Sequence, residues 1–296
     1  MKRIAPLAGW LIFLLLADDA LLMEHWEAAL VALAALTLVP AGLRLSGIAD
    51  GPVYYVSAAM FCVAYLQYPG IYAPLWALPY TLLAAWLAMR ETAAIATPGK
   101  WRLEDWMRWA ALVYWATGAV WALSFLAGWR PLDFDAVIVG LTAAHFHVAG
   151  FVLTVIACCL LEASVAPPVV RPVALATLLG MPMVAAGITL TKLGYPTGIE
   201  SAAATGFAVL ALAAAVLQIK LAFQSHFSRP ARILWLIGAC CLIAGAALAA
   251  LYALRFYYPS EWANIPFMKR WHGTLNTAGF GLLSLWGWET ARGVGR

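Results

Sequence analysis

The feature that most constrains this chain is a succession of apolar runs, near residues 4–22, 28–46, 52–68, 70–89, 106–128, 136–161, 173–191, 199–222, 231–254 and 266–288. A helix of about 20 mostly apolar residues crosses a bilayer, so ten such runs in 296 residues leave room only for short connections. Pro69-Gly70, Pro98-Gly99, Pro131, Pro167-Pro168, Pro196, Pro230 and Pro259 fall between the runs, where helices stop. Composition agrees. Hydrophobic residues make up 65% of the chain and charged ones 11%, against about 45–50% and about 25% in a soluble domain. The expected fold is all-α, a polytopic transmembrane helical bundle of about ten spans, with residues 1–296 as a single integral membrane domain. That content excludes a disordered chain. The net charge of +4 is scattered over the connections, so the bilayer, and no nucleic acid, is the expected partner.

Met1-Lys2-Arg3 before an apolar stretch has the outline of a secretory leader. No small-residue cleavage site follows, and Asp18-Asp19 interrupts the run, so the first run is read as a retained helix. Orientation follows from the basic residues. With ten spans and a cytoplasmic N-terminus, the inner side holds Lys2, Arg3, Arg44, Arg90, Lys100, Arg102, Arg108, Arg171, Lys220, Arg229, Arg232, Arg292 and Arg296, which is 13 of 18. Arg130, Lys192, Arg255, Lys269 and Arg270 fall outside. Both termini are therefore expected in the cytoplasm, and the protein in the inner (cytoplasmic) membrane. The largest connection, 90–105, reads as a cytoplasmic amphipathic segment anchored by Trp101 and Trp106. Cys62, Cys158, Cys159, Cys240 and Cys241 lie inside apolar runs without a C-x-x-C spacing and are expected to be small buried residues.

Polar side chains are costly in hydrocarbon, so each one asks for a reason. In this orientation Asp18, Asp19, Glu24, His25, Glu27, Asp133, Asp135, Lys192, Glu200, Glu261, Lys269, Arg270 and His272 gather in the outer half. The inner half reads as almost entirely Ala, Leu, Val, Gly and Cys. The densest signal is LTAAHFHVAGF, residues 141–151. From a helix start near Asp135, His145 and His147 lie roughly 15 Å deep. Two residues along an undistorted helix is about 200° of rotation, so the two imidazoles serve different surroundings. Gly150 follows on the His147 face and admits close approach of a neighbouring helix or a flat ligand.

A second signal, KRWHGTLNTAGFG at 269–281, puts His272, Asn276 and Gly279 on one stripe. Lys269 and Arg270 at its rim are placed to neutralise Asp18, Asp19 or Glu200, or to attract an anion. In GYPTGIESAAATG (194–206) Glu200 opens a helix, where the macrodipole favours a carboxylate by up to about 1 kcal/mol. Asp18-Asp19 reads as a helix end, and Asp133 and Asp135 as caps of the sixth span. Among the tryptophans, Trp76, Trp86, Trp115, Trp121, Trp235 and Trp286 fall deep enough to fill space or to line a cavity. His25 and His226 lie near surfaces and receive no role.

The blocks HFHVAGF and WHGTLNTAGFG resemble motifs of the YndJ-like family of bacterial multi-pass membrane proteins. The resemblance runs from about residue 131 to 290, with Val148 standing where the family pattern has an aromatic residue. It implies a polytopic membrane fold and carries over no settled activity; the residues it picks out are His145, His147, Gly150, His272, Asn276 and Gly279. The string AHFH is also similar to the haem-ligating helix of haem-copper oxidase subunit one. With five histidines and no adjacent His pair, the rest of that family's pattern is missing.

Three functions compete. A membrane-embedded acid–base enzyme, an isomerase or cyclase on a lipophilic substrate, would use His145 or His147 with Glu200 or Asp135 tuning it. Its substrate would lie against His272, Asn276, Gly150, Gly279 and Trp121. A b-type haem or metal-binding redox protein would use His145 or His147 with His272, most simply His147 and His272. A small-molecule transporter fits the size, but the polar residues are one-sided and no matched pair of interrupted helices appears.

Overall fold

The computed structural model describes residues 4–97, 99 and 101–293. Among the described residues every regular element is helical: α1 (Ile4–Leu16), α2 (Asp19–Glu24), α3 (Trp26–Leu45), α4 (Pro52–Leu66), α5 (Ala73–Ala96), α6 (Leu103–Leu126), α7 (Ala136–Glu162), α8 (Pro167–Lys192), α9 (Gly198–Ala222), α10 (Arg229–Ala253) and α11 (265–292), with a 3-10 turn at Pro131–Asp133. Six of these, α3, α6, α7, α8, α9 and α10, are long and apolar enough to cross a membrane. The apolar helices α1 and α4 have 13 and 15 residues, which is only about 20 Å of rise. Helices α5 and α11 are long but carry Arg90 and Glu91, and Lys269 and Arg270. Of the residues used to orient the chain, Lys2, Arg3, Lys100 and Arg296 lie outside the described residues, as does Pro98.

Side chains set the helix ends. The first apolar run is broken in two: α1 stops at Leu16, and the Asp18 carboxylate accepts the Leu21 N–H at 2.8 Å to start α2. The expected amphipathic connection at 90–105 is mostly absorbed into its flanking helices. Helix α5 continues to Ala96, and α6 already starts at Leu103. Asp105 fixes that start by accepting the Arg102 N–H at 2.9 Å, and two acids in the first turn suit the helix dipole. Trp101 and Trp106 remain exposed at the two sides of the turn.

The helices form two compact units among the described residues, 4–155 with 292–293, and 156–291. In the first, α3 is the centre, with every residue from Glu27 to Leu43 buried. Its Ala, Leu and Val side chains are small enough for neighbours to reach its backbone. Trp10 Nε1 donates to the Ala29 carbonyl at 2.8 Å and Tyr54 Oη to that of Ala35 at 2.5 Å. Ala35 lies in a π turn, Ala34–Leu38, whose wider hydrogen-bonded ring loosens the helical ladder. Two further π turns occur, Phe146–Val152 in α7 and Leu275–Leu282 in α11.

In the second unit the apolar windows of α8, α9 and α10 are each only 33% buried. Their other faces present Leu175, Leu179, Met183, Val209, Val216, Ile233 and Ile237 outward. Apolar surface so continuous is incompatible with water and suited to lipid. Between the helices lies a polar clamp. Gln218, 1% exposed, donates through Nε2 to the Trp235 carbonyl at 2.9 Å and to Ser284 Oγ at 2.8 Å, joining α9, α10 and α11. The stretches expected to be almost purely small and aliphatic thus conceal Gln218, Ser284 and Glu289. The cysteines also divide: Cys62, Cys158 and Cys159 are buried as expected, whereas Cys241 is half-buried and Cys240 is exposed on α10. Interhelical hydrogen bonds in membranes are worth about 0.6 and up to about 1.7 kcal/mol each. Gln218→Leu, which removes two, is expected to destabilise the protein by about 1–2 kcal/mol, read as a lower thermal unfolding midpoint in detergent.

Candidate functional site

Helix α7 places its two histidines in different surroundings, on either side of the point where the π turn begins. His147 is wholly inaccessible. Its Nδ1 lies 2.8 Å from the Ala143 carbonyl, and its Nε2 lies 3.3 Å from Tyr80 Oη on α5. Trp115 Nε1 on α6 donates to the same hydroxyl at 2.8 Å. A carbonyl only accepts and an indole N–H only donates, so the proton order is fixed. His147 carries its hydrogen on Nδ1, and Nε2 takes the Tyr80 O–H. The Tyr80 and His147 rings lie 11° from parallel with centroids 6.0 Å apart, and Phe61 stacks on Tyr80 at 4.3 Å. Gly118 of α6 makes room for the imidazole: a Cβ there would stand 2.6 Å from His147 Nδ1. This is a closed, fully bonded arrangement of α4, α5, α6 and α7.

His145 is only half-buried. Its Nδ1 lies 2.7 Å from the Leu141 carbonyl, so it too is protonated at Nδ1 and carries its lone pair on Nε2. It shares its face of α7 with the half-buried Ile138, Thr142 and Ala149. Gly150 does admit a close neighbour, because Tyr114 Cβ of α6 lies 2.9 Å from where a Gly150 Cβ would be. Asp135 occupies the N-cap position of α7 with extended backbone, yet its side chain makes no capping bond. It precedes His145 by ten residues, about 15 Å along the helix, which is beyond hydrogen-bond reach. Asp133 ends the 3-10 turn at φ 56° and caps nothing in α7.

In the second unit, His272 of α11 lies across from α10, with Nδ1 2.9 Å from the Gly245 carbonyl. Asn276 Nδ2 donates to the His272 carbonyl at 2.8 Å, and its amide packs onto Gly245, which has no side chain to obstruct it. Gly279 does the same for Cys241. The predicted stripe His272, Asn276, Gly279 therefore exists and faces α10. Glu200, in the first turn of α9, pairs with Arg255 at 2.6 Å rather than with Lys269 or Arg270. The Arg255 guanidinium also lies over the rings of Phe256 at 4.1 Å and Tyr252 at 4.3 Å. Arg255 follows the end of α10, so the ion pair fastens α9 to α10.

The tryptophans divide as well. Trp115 and Trp235 are fully buried, but Trp76 and Trp86 are 37% and 53% exposed. Trp121 is half-buried with its ring 6.4 Å from Phe134. An open groove of about 550 Å3 runs along Met60, Gln67, Tyr72, Leu75 and Trp76, and contains none of the predicted site residues.

Two groups escaped the sequence reading. Tyr80 gives no local signal, and Trp115 only that of a deep tryptophan, since their shared role arises from packing across three helices. His25, expected near a surface and without a role, has its Nδ1 3.1 Å from Oε1 of the buried Glu27. The signal available was His-x-Glu at the head of an apolar run. Replacing Tyr80 by Phe leaves the Trp115 donor and the His147 acceptor unsatisfied, each at about 1–3 kcal/mol. The expected outcome is a loss of about 2–4 kcal/mol, measured as a thermal midpoint shift with the helical circular dichroism of the folded state retained. Overpacking typically costs about 1–3 kcal/mol, and Gly245→Ala is expected to fall in that range by pushing Asn276 away from α10.

No curated protein and no solved structure matches the chain. A family profile described as YndJ-like protein matches residues 29–280, which takes in α4 to α10 entirely, most of α3 and the histidine-bearing turns of α11. On that match, over most of its length, the chain belongs to the family of YndJ-like proteins.

Proposed function

We propose that this protein crosses the inner (cytoplasmic) membrane ten times with both termini in the cytoplasm, and that it acts there as an acid–base enzyme of isomerase or cyclase type on a lipophilic substrate. Four helices beyond the six long apolar ones coincide with the remaining apolar runs, and the basic residues fall mainly on one side, which supports the topology. The observation that carries the chemical reading is the presentation of His145. Its Nδ1–H is held by the Leu141 carbonyl, so Nε2 is the basic nitrogen, on the half-open face of α7 and in an apolar setting. His147, closed in by Tyr80 and Trp115, supports this face as a positioning residue. Asn276 and His272 supply polar contacts in the second unit.

A second reading has its own support. Imidazoles that bind a metal or haem iron commonly anchor one N–H on a backbone carbonyl, and both His145 and His272 do so through Nδ1. In this reading His145 replaces His147 as the ligand within the first unit, because His147 Nε2 is already engaged by Tyr80, and His272 is a ligand within the second.

One experiment separates the two. Protein purified in mild detergent from a haem-replete host is examined by absorption spectroscopy and metal analysis, beside His145→Ala and His272→Ala. The enzyme reading expects colourless, metal-free protein whose lipid extract contains a co-purifying lipophile that His145→Ala loses. A Soret band lost in either variant establishes the ligand reading and overturns the enzyme one. Extracts identical in wild type and His145→Ala, with no chromophore, defeat both.

A further inference from the structure

The chain between α2 and α3 consists of one residue, His25, whose backbone (φ −120°, ψ 44°) belongs to neither helix. Its side chain does not cap α3. It turns instead to Glu27, two residues on, where Nδ1 and Oε1 are 3.1 Å apart. The two partners differ sharply in exposure: the His25 side chain is 27% accessible and that of Glu27 only 2%.

A carboxylate so deeply buried is expensive to maintain, and nothing about starting a helix requires it. Helix α2, next door, is started by the exposed Asp18. The structure nevertheless makes a place for Glu27. It stands in the first turn of α3, where the helix dipole favours negative charge. Gly140 of α7 faces it without a side chain; a Cβ there would be 3.3 Å from both Glu27 Cγ and Oε1. The imidazole is held by edge-on contacts with Tyr68, at 5.6 Å, and Phe125, at 5.4 Å. Since a carboxylate accepts and does not donate, Nδ1 bears the hydrogen and the lone pair of the neutral ring is on Nε2. Among the described residues His25 Nε2 makes no hydrogen bond, and it belongs to the accessible partner of the pair.

We propose that His25 and Glu27 form a proton-transfer dyad at the polar end of α3, with His25 as the base and Glu27 as its positioning residue, acting on a neutral hydroxyl group. The O–H proton moves to Nε2, the oxygen keeps the bonding pair, and the resulting imidazolium faces the Glu27 carboxylate through Nδ1–H; the proton returns by the same route. The arrangement is that of a buried acid orienting an imidazole. The substrate is neutral because exposed carboxylates, Glu24 next to His25 and Asp18 and Asp19 at the start of α2, repel anionic groups. The hydroxyl comes from a lipid headgroup or from water. None of the residues used in the proposed function takes part, so either idea can fail alone.

The test is acylation by diethyl pyrocarbonate, which attacks a neutral imidazole nitrogen, in full-length protein in nanodiscs, read per histidine by peptide mass spectrometry. The exposed His226 is the internal reference. Expected are acylation of His25 several-fold faster than His226, a several-fold loss of that excess in Glu27→Gln, and, in wild-type protein with 15N-labelled histidine, the Nδ1–H tautomer for the signal that His25→Asn removes. Protection by 1-oleoylglycerol but not by its dimethyl ether assigns the hydroxyl to a headgroup. Fast, Glu27-dependent acylation that neither lipid slows assigns it to water. Acylation no faster than at His226, an excess unchanged in Glu27→Gln, or an Nε2–H tautomer in wild type overturns the dyad. The tautomer measurement needs no Glu27 variant, so a misfolded Glu27→Gln protein does not shelter the proposal.

Discussion

Inside hydrocarbon a polar side chain has no water to turn to, and the nearest acceptor is the carbonyl one turn back on its own helix. That constraint shapes most of this molecule. Thr37, Thr81, Thr92, Thr117, Ser124, Thr142, Thr189 and Thr290 each donate to the carbonyl four residues before them. His145 and His147 obey the same rule through Nδ1. What is ordinary for threonine has a chemical consequence for histidine. The hydrogen is committed to the helix, and Nε2 is left as the atom that meets whatever lies beyond. For His147 this is a tyrosine hydroxyl.

Departures from that rule are where helices are joined. Gln218, His272, Arg255 and Tyr54 all reach across to another helix, and all but Arg255 do so where the partner is bare or its backbone is loosened. Gly245 lies beneath Asn276, and the π turn at Ala34–Leu38 supplies the carbonyl for Tyr54. Small residues and wide turns thus act as sockets for long polar side chains. Lipid provides no hydrophobic drive for two apolar helices to associate, so these sockets, with close packing, carry the specificity.

The apolar runs were legible because a bilayer-length hydrophobic stretch is a property of consecutive residues. Every run contains a helix, six of them long enough to cross a membrane, and the differences lie at ends decided by side chains, as where Asp18 divides the first run and Asp105 starts α6 early. The histidine helices were legible for a similar reason, since spacing within one helix fixes its faces. Partners on other helices were not. Glu200 is only one of several groups that Lys269 and Arg270 could meet by sequence, and the guanidinium that reaches it is Arg255, at the end of the very next helix. Tyr80 escaped because a tyrosine in an apolar run reads as bulk until Trp115 and His147 are placed around its hydroxyl. His25 escaped because exposure was inferred from its position near a helix end, and the burial of Glu27 depends on Gly140, more than a hundred residues away.

The π turn of α11 settles a question of phase. Along a straight helix, at roughly 100° per residue, Ser284 would stand about 120° around from His272, and Trp288 still further. One of the two groups would then turn away from α10. A π turn absorbs about one extra residue, so every side chain after it is set back by one step. His272, Asn276 and Gly279 before or within the turn, and Ser284 and Gly287 after it, all meet α10, at Gly245, Cys241, Gly238 and Trp235. The turn therefore acts as a frame correction written into the helix. It lets a single strand of sequence keep two separately spaced sets of contacts on one line.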